Sequence, residues 1–375
     1  MRSRLGLLGA VALVALAGCT GGPAPDVVPT ASDQAWSRVA LPEGFTGSQL
    51  LVVDGRLVVG GSQGDAPAIL VGADGDDLAP IPVASTTFYG AVARWYAISA
   101  DGSELRALGG RTGGGHGNPR WSTWAGDLDH LDEVGTPGIE VFGGWRGGGM
   151  VGVAVVDGQG VIVGGRAGEA PGLDIAVWLE QGGEWVEQSS TGTALGATDA
   201  VLPFPSSVAR GGSGLLITGF TQRIGGGEVR DVANAWTGSP TGPWERVELP
   251  TDAEGSSADA ASCDADGCVI VGRGDDRVLA WSYTEGDVIP LPLPELAAPH
   301  ELPAPVTWND RTAIVAPGSV AVSRDLANWE LLTGPEGVAI AATADGDVLY
   351  VLVTLPTGAV ELWRTAEGRF SQAPS

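Results

Sequence analysis

Arginine is the residue type through which this chain could most readily do chemistry. Arg111, Arg166, Arg223 and Arg273 each stand just after the glycine-containing end of an apolar segment. A guanidinium captures carboxylates and phosphates bidentately. Four of them aimed at one surface would suit an anionic ligand or a sugar acid. Tyr89, Trp121 and Trp145 could stack on such a ligand, and His116, Arg120 and Arg146 could add polar contacts. For each arginine taken singly, the favoured alternative is a local acid such as Glu169, Asp231 or Asp275, which would spend the charge inside the fold.

Other chemistries are poorly provided for. His116, His130 and His300 have no metal-ligand spacing, so no zinc site is expected. Asp74-Gly75-Asp76-Asp77 and Asp264-Ala265-Asp266 could hold calcium, but neither offers a full ligand set and hairpin-turn chemistry accounts for both. The glycine runs around Gly113 and Gly147 lack the Lys-Ser/Thr of a phosphate loop. No cofactor is expected and no catalytic set can be assembled. Cys263 and Cys268 flank Asp264-Ala265-Asp266-Gly267, a tight-turn sequence. Two strands leaving such a turn bring cysteines close enough for a disulfide, which an oxidising compartment permits.

The N-terminus reads as an address. Arg2 and Arg4 precede an apolar stretch from Leu5 to Ala17, the layout of a signal peptide. A membrane-spanning helix needs roughly 20 apolar residues, more than this stretch has. Leu16-Ala17-Gly18-Cys19 resembles the lipobox of bacterial lipoproteins. That resemblance implies cleavage after residue 18, palmitate-type diacylation of Cys19 and residence on the outer face of the cell membrane. Two acyl chains suffice for stable anchoring. Residues 19–35, rich in Gly, Pro and small polar residues, are expected to be a disordered tether. The formal charge of −25 excludes nucleic acid as a partner. Lysine is absent, a composition that resembles that of GC-rich actinobacterial genomes. A monomer is expected.

These candidates must be positioned by a repeat. Turn signals recur at Asp54-Gly55, Asp101-Gly102, Asp157-Gly158, Gly211-Gly212, Asp266-Gly267, Asn309-Asp310 and Asp345-Gly346. Asp-Gly favours the positive φ angles of hairpin turns, and the spacing is near the roughly 40–50 residues of a propeller blade. After each turn comes a continuous apolar run, such as LVVGG (57–61) or VIVGG (161–165). Such runs suit strands buried on both faces. A third strand follows, with Trp124, Trp178, Trp236, Trp281 or Trp363 near its end, and these tryptophans are expected to pack between blades. A more polar fourth strand completes the unit. The sequence therefore predicts an all-β, seven-bladed β-propeller of four-stranded antiparallel blades over residues 36–375. Two segments compete to close the ring: Ala35–Val39, and Arg369-Phe370-Ser371-Gln372.

Ser323-Arg324-Asp325-Leu326-Ala327-Asn328-Trp329 resembles the Asp-box of sialidase-like propellers, with Ser323, Asp325 and Trp329 matching in kind. In that family the box is a structural turn away from the active site. Two functions follow as expectations. The first is a membrane-anchored binding module for a glycan, a cell-wall component or an envelope protein. The second is a sialidase-like glycoside hydrolase, which the resemblance would equip with an arginine triad, here Arg111, Arg166 and Arg273. It would also need a tyrosine nucleophile, Tyr89 or Tyr96; Tyr350 lies in a buried-type strand and Tyr283 near a turn of the opposite face. The module is preferred, since no partner glutamate can be placed.

Overall fold

The computed structural model describes residues 31–113, 119–135, 138–212 and 214–365. Among these residues the chain forms seven sheets in succession, a seven-bladed β-propeller of antiparallel four-stranded blades, with Val83–Ala84 adding a fifth, parallel strand to blade two. Blade one runs from Phe45–Val53 through Arg56–Gln63 and Ala66–Gly72 to Ala79–Pro80. Later blades repeat this path from inner to outer strand. The signal segment, Cys19 and His116 lie outside the described residues, as does Arg369–Gln372.

All seven anticipated turns join an inner strand to its second strand. Asp54 and Gly55 have φ of 49° and 69°, and Asp157 and Gly158 have 52° and 75°, so both turns take the left-handed conformations that twisted hairpins need. In blade five the turn brings Cys263 opposite Cys268, and the two are disulfide-bonded.

Continuous apolar strands result in seven hydrophobic clusters, one at each junction between blades. In blade one, Leu57 and Val59 pack with Tyr350, Leu352 and Leu362 of blade seven. Val58 points the other way and packs with Trp95, Leu105 and Trp124 of blade two. Successive strand residues face opposite sides, so each second strand serves two junctions. Trp124, Trp178, Trp236 and Trp281 are fully buried at these junctions, which confirms their packing role.

The inner strands carry a feature that single-strand periodicity does not reveal. In six blades the inner strand's register slips by one residue, at Ser48, Tyr96, Val151, Ser206, Asp259 and Ile340. Such a β-bulge bends its strand and re-aims side chains. Gly219 and Gly272 sit opposite two of these bulges. A Cβ on either would come within 2.0 Å of a carbonyl oxygen, that of Phe204 or Ser257. The glycines that end the apolar runs thus admit the bulged strand.

The ring is closed by the N-terminal candidate. Trp36–Val39 pairs antiparallel with Val360–Thr365 as the outer strand of blade seven. Just before it, Ser32 bridges Leu332 of blade six and Gln34 donates its amide to the Thr333 hydroxyl at 2.9 Å. Residues 32–34, within the span expected as tether, are therefore bonded to the outer edge of blade six.

Candidate functional site

Because strands alternate direction, loops from second to third strand share a face with those from blade to blade. The described candidate residues belong to this face or near it, and the structure divides them into separate groups.

The first group surrounds blade two. Glu133 is buried, and its carboxylate accepts the amides of Thr86 and Thr87 at 2.7 and 2.8 Å. This holds the loop that presents Phe88 and Tyr89. Tyr89 lies edge-on to Phe88 and beneath the Arg120 guanidinium, 5.9 Å from ring centroid to Cζ. Trp121 meets Tyr96 edge-on at 4.6 Å. Arg111 is 3.8 Å from the Asp65 carboxylate, which Arg94 reaches at 3.2 Å.

The second group forms a cleft of about 570 Å³ at blade three, with Trp145, Arg146, Arg166, Glu169, Asp174 and Glu187 in its walls. A short helix, Ile139–Phe142, leads into a turn of 3₁₀ helix, Gly144–Arg146. Phe142 is buried against Trp178 and Trp185, at 5.4 and 5.9 Å between ring centroids. Arg166 donates to the carbonyls of Glu140 and Val141, both at 2.7 Å, and its Nε lies 2.8 Å from Glu187. Arg146 donates to the Ala167 carbonyl at 2.9 Å and lies 3.4 Å from Glu187. Both arginines thus fasten loops. The loop they fasten displays Trp145, which is 85% exposed.

Arg223 and Arg273 stand apart from these groups. Arg223 pairs with Glu248. Arg273 pairs at 3.2 Å with Asp259, a bulge residue, and contacts Ser257 and His300. Burial raises the Asp259 pKa although Arg273 pulls it down.

Arg166, Arg223 and Arg273 are each spent on an acid of their own blade, though not on the acids anticipated, whereas Arg111 faces only Asp65 of blade one. Glu187, Asp259 and Glu248 take the places expected for Glu169, Asp275 and Asp231. Nor do Arg111, Arg166 and Arg273 converge as a sialidase triad would. Arg166 belongs to the blade-three cleft, and Arg273 lines a separate one with His300 and Asp231. Tyr350 is buried and Tyr283 contacts Thr237. Sequence reading missed Phe88, next to Tyr89 in the same loop, and Glu187, whose alternating fourth strand gave only a weak signal.

The acidic turns are occupied by their own backbone. Asp77 accepts the Asp74 amide and Asp74 accepts that of Asp76, while Arg364 bonds Asp76. Among the described residues no three His, Cys, Asp or Glu side chains gather as metal ligands would. The Asp-box-like turn is structural. Asp325 accepts the amides of Ala327 and Asn328 at 3.0 and 2.8 Å, and Ser323 donates to the Asn328 carbonyl at 2.6 Å.

No family model matches this chain, and no curated protein matches it. Among solved structures it is similar to the β-propeller domain of the Trilobed protease from Pyrococcus furiosus. The TM-score is 0.53 and the identity 11%, over 87% of this chain and 97% of that one. That domain is described as having an open velcro topology, whereas here Trp36–Val39 closes the ring. BamB from Moraxella catarrhalis gives a TM-score of 0.48 and 13% identity, over 92% of this chain and 99% of that one. At such identities the first likeness shows the fold alone, and the second carries no argument.

Proposed function

We propose that this chain is an envelope lipoprotein, anchored through Cys19, whose propeller binds a saccharide in the blade-three cleft. The observation that carries this reading is Trp145. Its indole stands in water on the wall of a polar cleft, on a loop that Arg166 and the buried Phe142 hold in place. Covering an indole of this size contributes roughly 4 kcal/mol, at about 25 cal/mol per Å². A sugar ring offers C–H groups to such a surface and hydroxyls to its surroundings. Gln188, Ser189 and Thr191 in the same cleft supply the polar counterparts. Pockets with one aromatic wall and a few convergent polar groups are typical ligand sites.

Two measurements test this. Titration with envelope-derived oligosaccharides should quench tryptophan fluorescence, and Trp145→Ala should weaken binding at least about tenfold. Since Trp145 is exposed, the variant's melting temperature should not change. If no saccharide binds, and a protein partner does, the ligand assignment fails. Separately, Cys19→Ala should move the protein from the membrane fraction to the soluble one, and continued dependence on detergent would refute the anchor.

A further inference from the structure

Resting on that saccharide reading, we infer that the cleft selects an amino sugar carrying a free, protonated amine, rather than a neutral sugar or a sugar acid. The charges in its walls point this way. Two cations are present, Arg146 and Arg166, and most of their donors are committed. Arg166 spends its two terminal nitrogens on the Val141 and Glu140 carbonyls and turns its Nε to Glu187. Arg146 spends its Nε on the Ala167 carbonyl and shares Glu187. Only the outer Nη1 of Arg146 is left for an anion; any further contact would break bonds that hold the loop of Trp145.

The acids are differently placed. Asp174 is buried and accepts the Ala197 amide at 2.7 Å. Glu187 serves both arginines. Glu169 is exposed on the loop between the second and third strands, with no hydrogen-bond or ion-pair partner among the described residues. Three carboxylates thus face two pinned guanidiniums, and the surplus charge is negative. An ammonium also suits the face of an indole, whose negative quadrupole attracts cations. Trp145 and Glu169 line the same cleft from two different loops, so one amine-bearing ring could meet both.

The test uses the full chain in detergent and three oligosaccharides of matched length: glucosamine oligomers, their N-acetylated counterparts and galacturonate oligomers. Calorimetry is run below and above the pKa of the glucosamine amine. Below it, the glucosamine oligomer should bind about tenfold more tightly than the N-acetylated one, the gain expected for one cation placed over an indole and beside a carboxylate. That preference should vanish above the amine's pKa and in Glu169→Gln, which should still bind the N-acetylated oligomer. Trp145→Ala should weaken both. If the N-acetylated or galacturonate oligomer binds as well as or better than glucosamine below that pKa, the amine inference fails while saccharide binding stands. A preference that survives Glu169→Gln also overturns the inference. If none of the three binds, both readings fail.

Discussion

Asp325 and Asp259 are carboxylates in hydrogen-bonded settings whose pKa values move in opposite directions. The Asn328 side chain and the amides of Asn328 and Ala327 all donate to Asp325, and they hold its pKa far below the usual carboxylate value. Burial moves Asp259 upward, against the attraction of Arg273. Linkage gives these shifts opposite consequences. Asp325 contributes stability above its unfolded-state pKa, and that contribution is lost as pH falls through its lower folded value. For Asp259 the contribution is present below the unfolded value and lost as pH rises through the higher folded one. Asp325→Ala should therefore lower the thermal midpoint at neutral pH, and its gap from the native protein should narrow as pH falls below about 4. A gap that stays constant down to strong acid would mean that the charge on Asp325 contributes nothing. At this scale the sequence was informative where a motif is local. Ser323, Asp325 and Trp329 could be recognised as one turn because every bond lies within a few residues. Arg166 and Glu187 could not be paired in advance, since loop and strand geometry bring them together across an intervening strand.

The blades show the same division between local and non-local information. Their hairpins were legible because Asp-Gly and Gly-Gly pairs encode the positive φ of the turn itself. Two-sided burial was legible too, in runs such as Val161-Ile162-Val163 that have no polar face. The bulges were not, because a bulge is a relation between two strands and each strand alone reads as regular. In blades one to five its trace was the glycine at the end of the apolar run, whereas blade seven bulges opposite Leu352 and Val353. The structure gives that glycine a steric task, with a consequence that can be measured. Gly272→Ala would drive a Cβ to within 2.0 Å of the Ser257 carbonyl and unseat the bulge that carries Asp259. The expected loss is about 1–3 kcal/mol or more in urea denaturation, the usual cost of overpacking. Gly255→Ala, where a Cβ would meet nothing within 4 Å, should be nearly silent. Equal effects would show that close approach is not what selects glycine at position 272.

At the scale of the whole ring, closure and presentation are coupled through the N-terminal segment. The chain meets the outer edge of blade six at Ser32, then becomes the outer strand of blade seven. In a ring of seven, the junction of blades two and three lies half a turn from blade six. Phe88, Tyr96, Trp121 and Trp145 all belong to that side. The closing strand also has a stability role. Val39 is buried with Leu362 and Tyr350. The Trp36 indole donates to the Thr333 carbonyl at 2.8 Å, and Arg38 pairs with Glu361 at 3.0 Å. Without this strand, Val360–Thr365 would become an uncovered sheet edge, a template for pairing with other chains. A chain that starts at residue 40 should therefore lose at least about 3 kcal/mol relative to one that starts at residue 31, most of it from the uncovered Val39 and Trp36. It should also associate in a concentration-dependent way. Denaturant titration and sedimentation of the two chains make the comparison, and matching midpoints with both chains monomeric would show that the ring does not depend on its N-terminal strand.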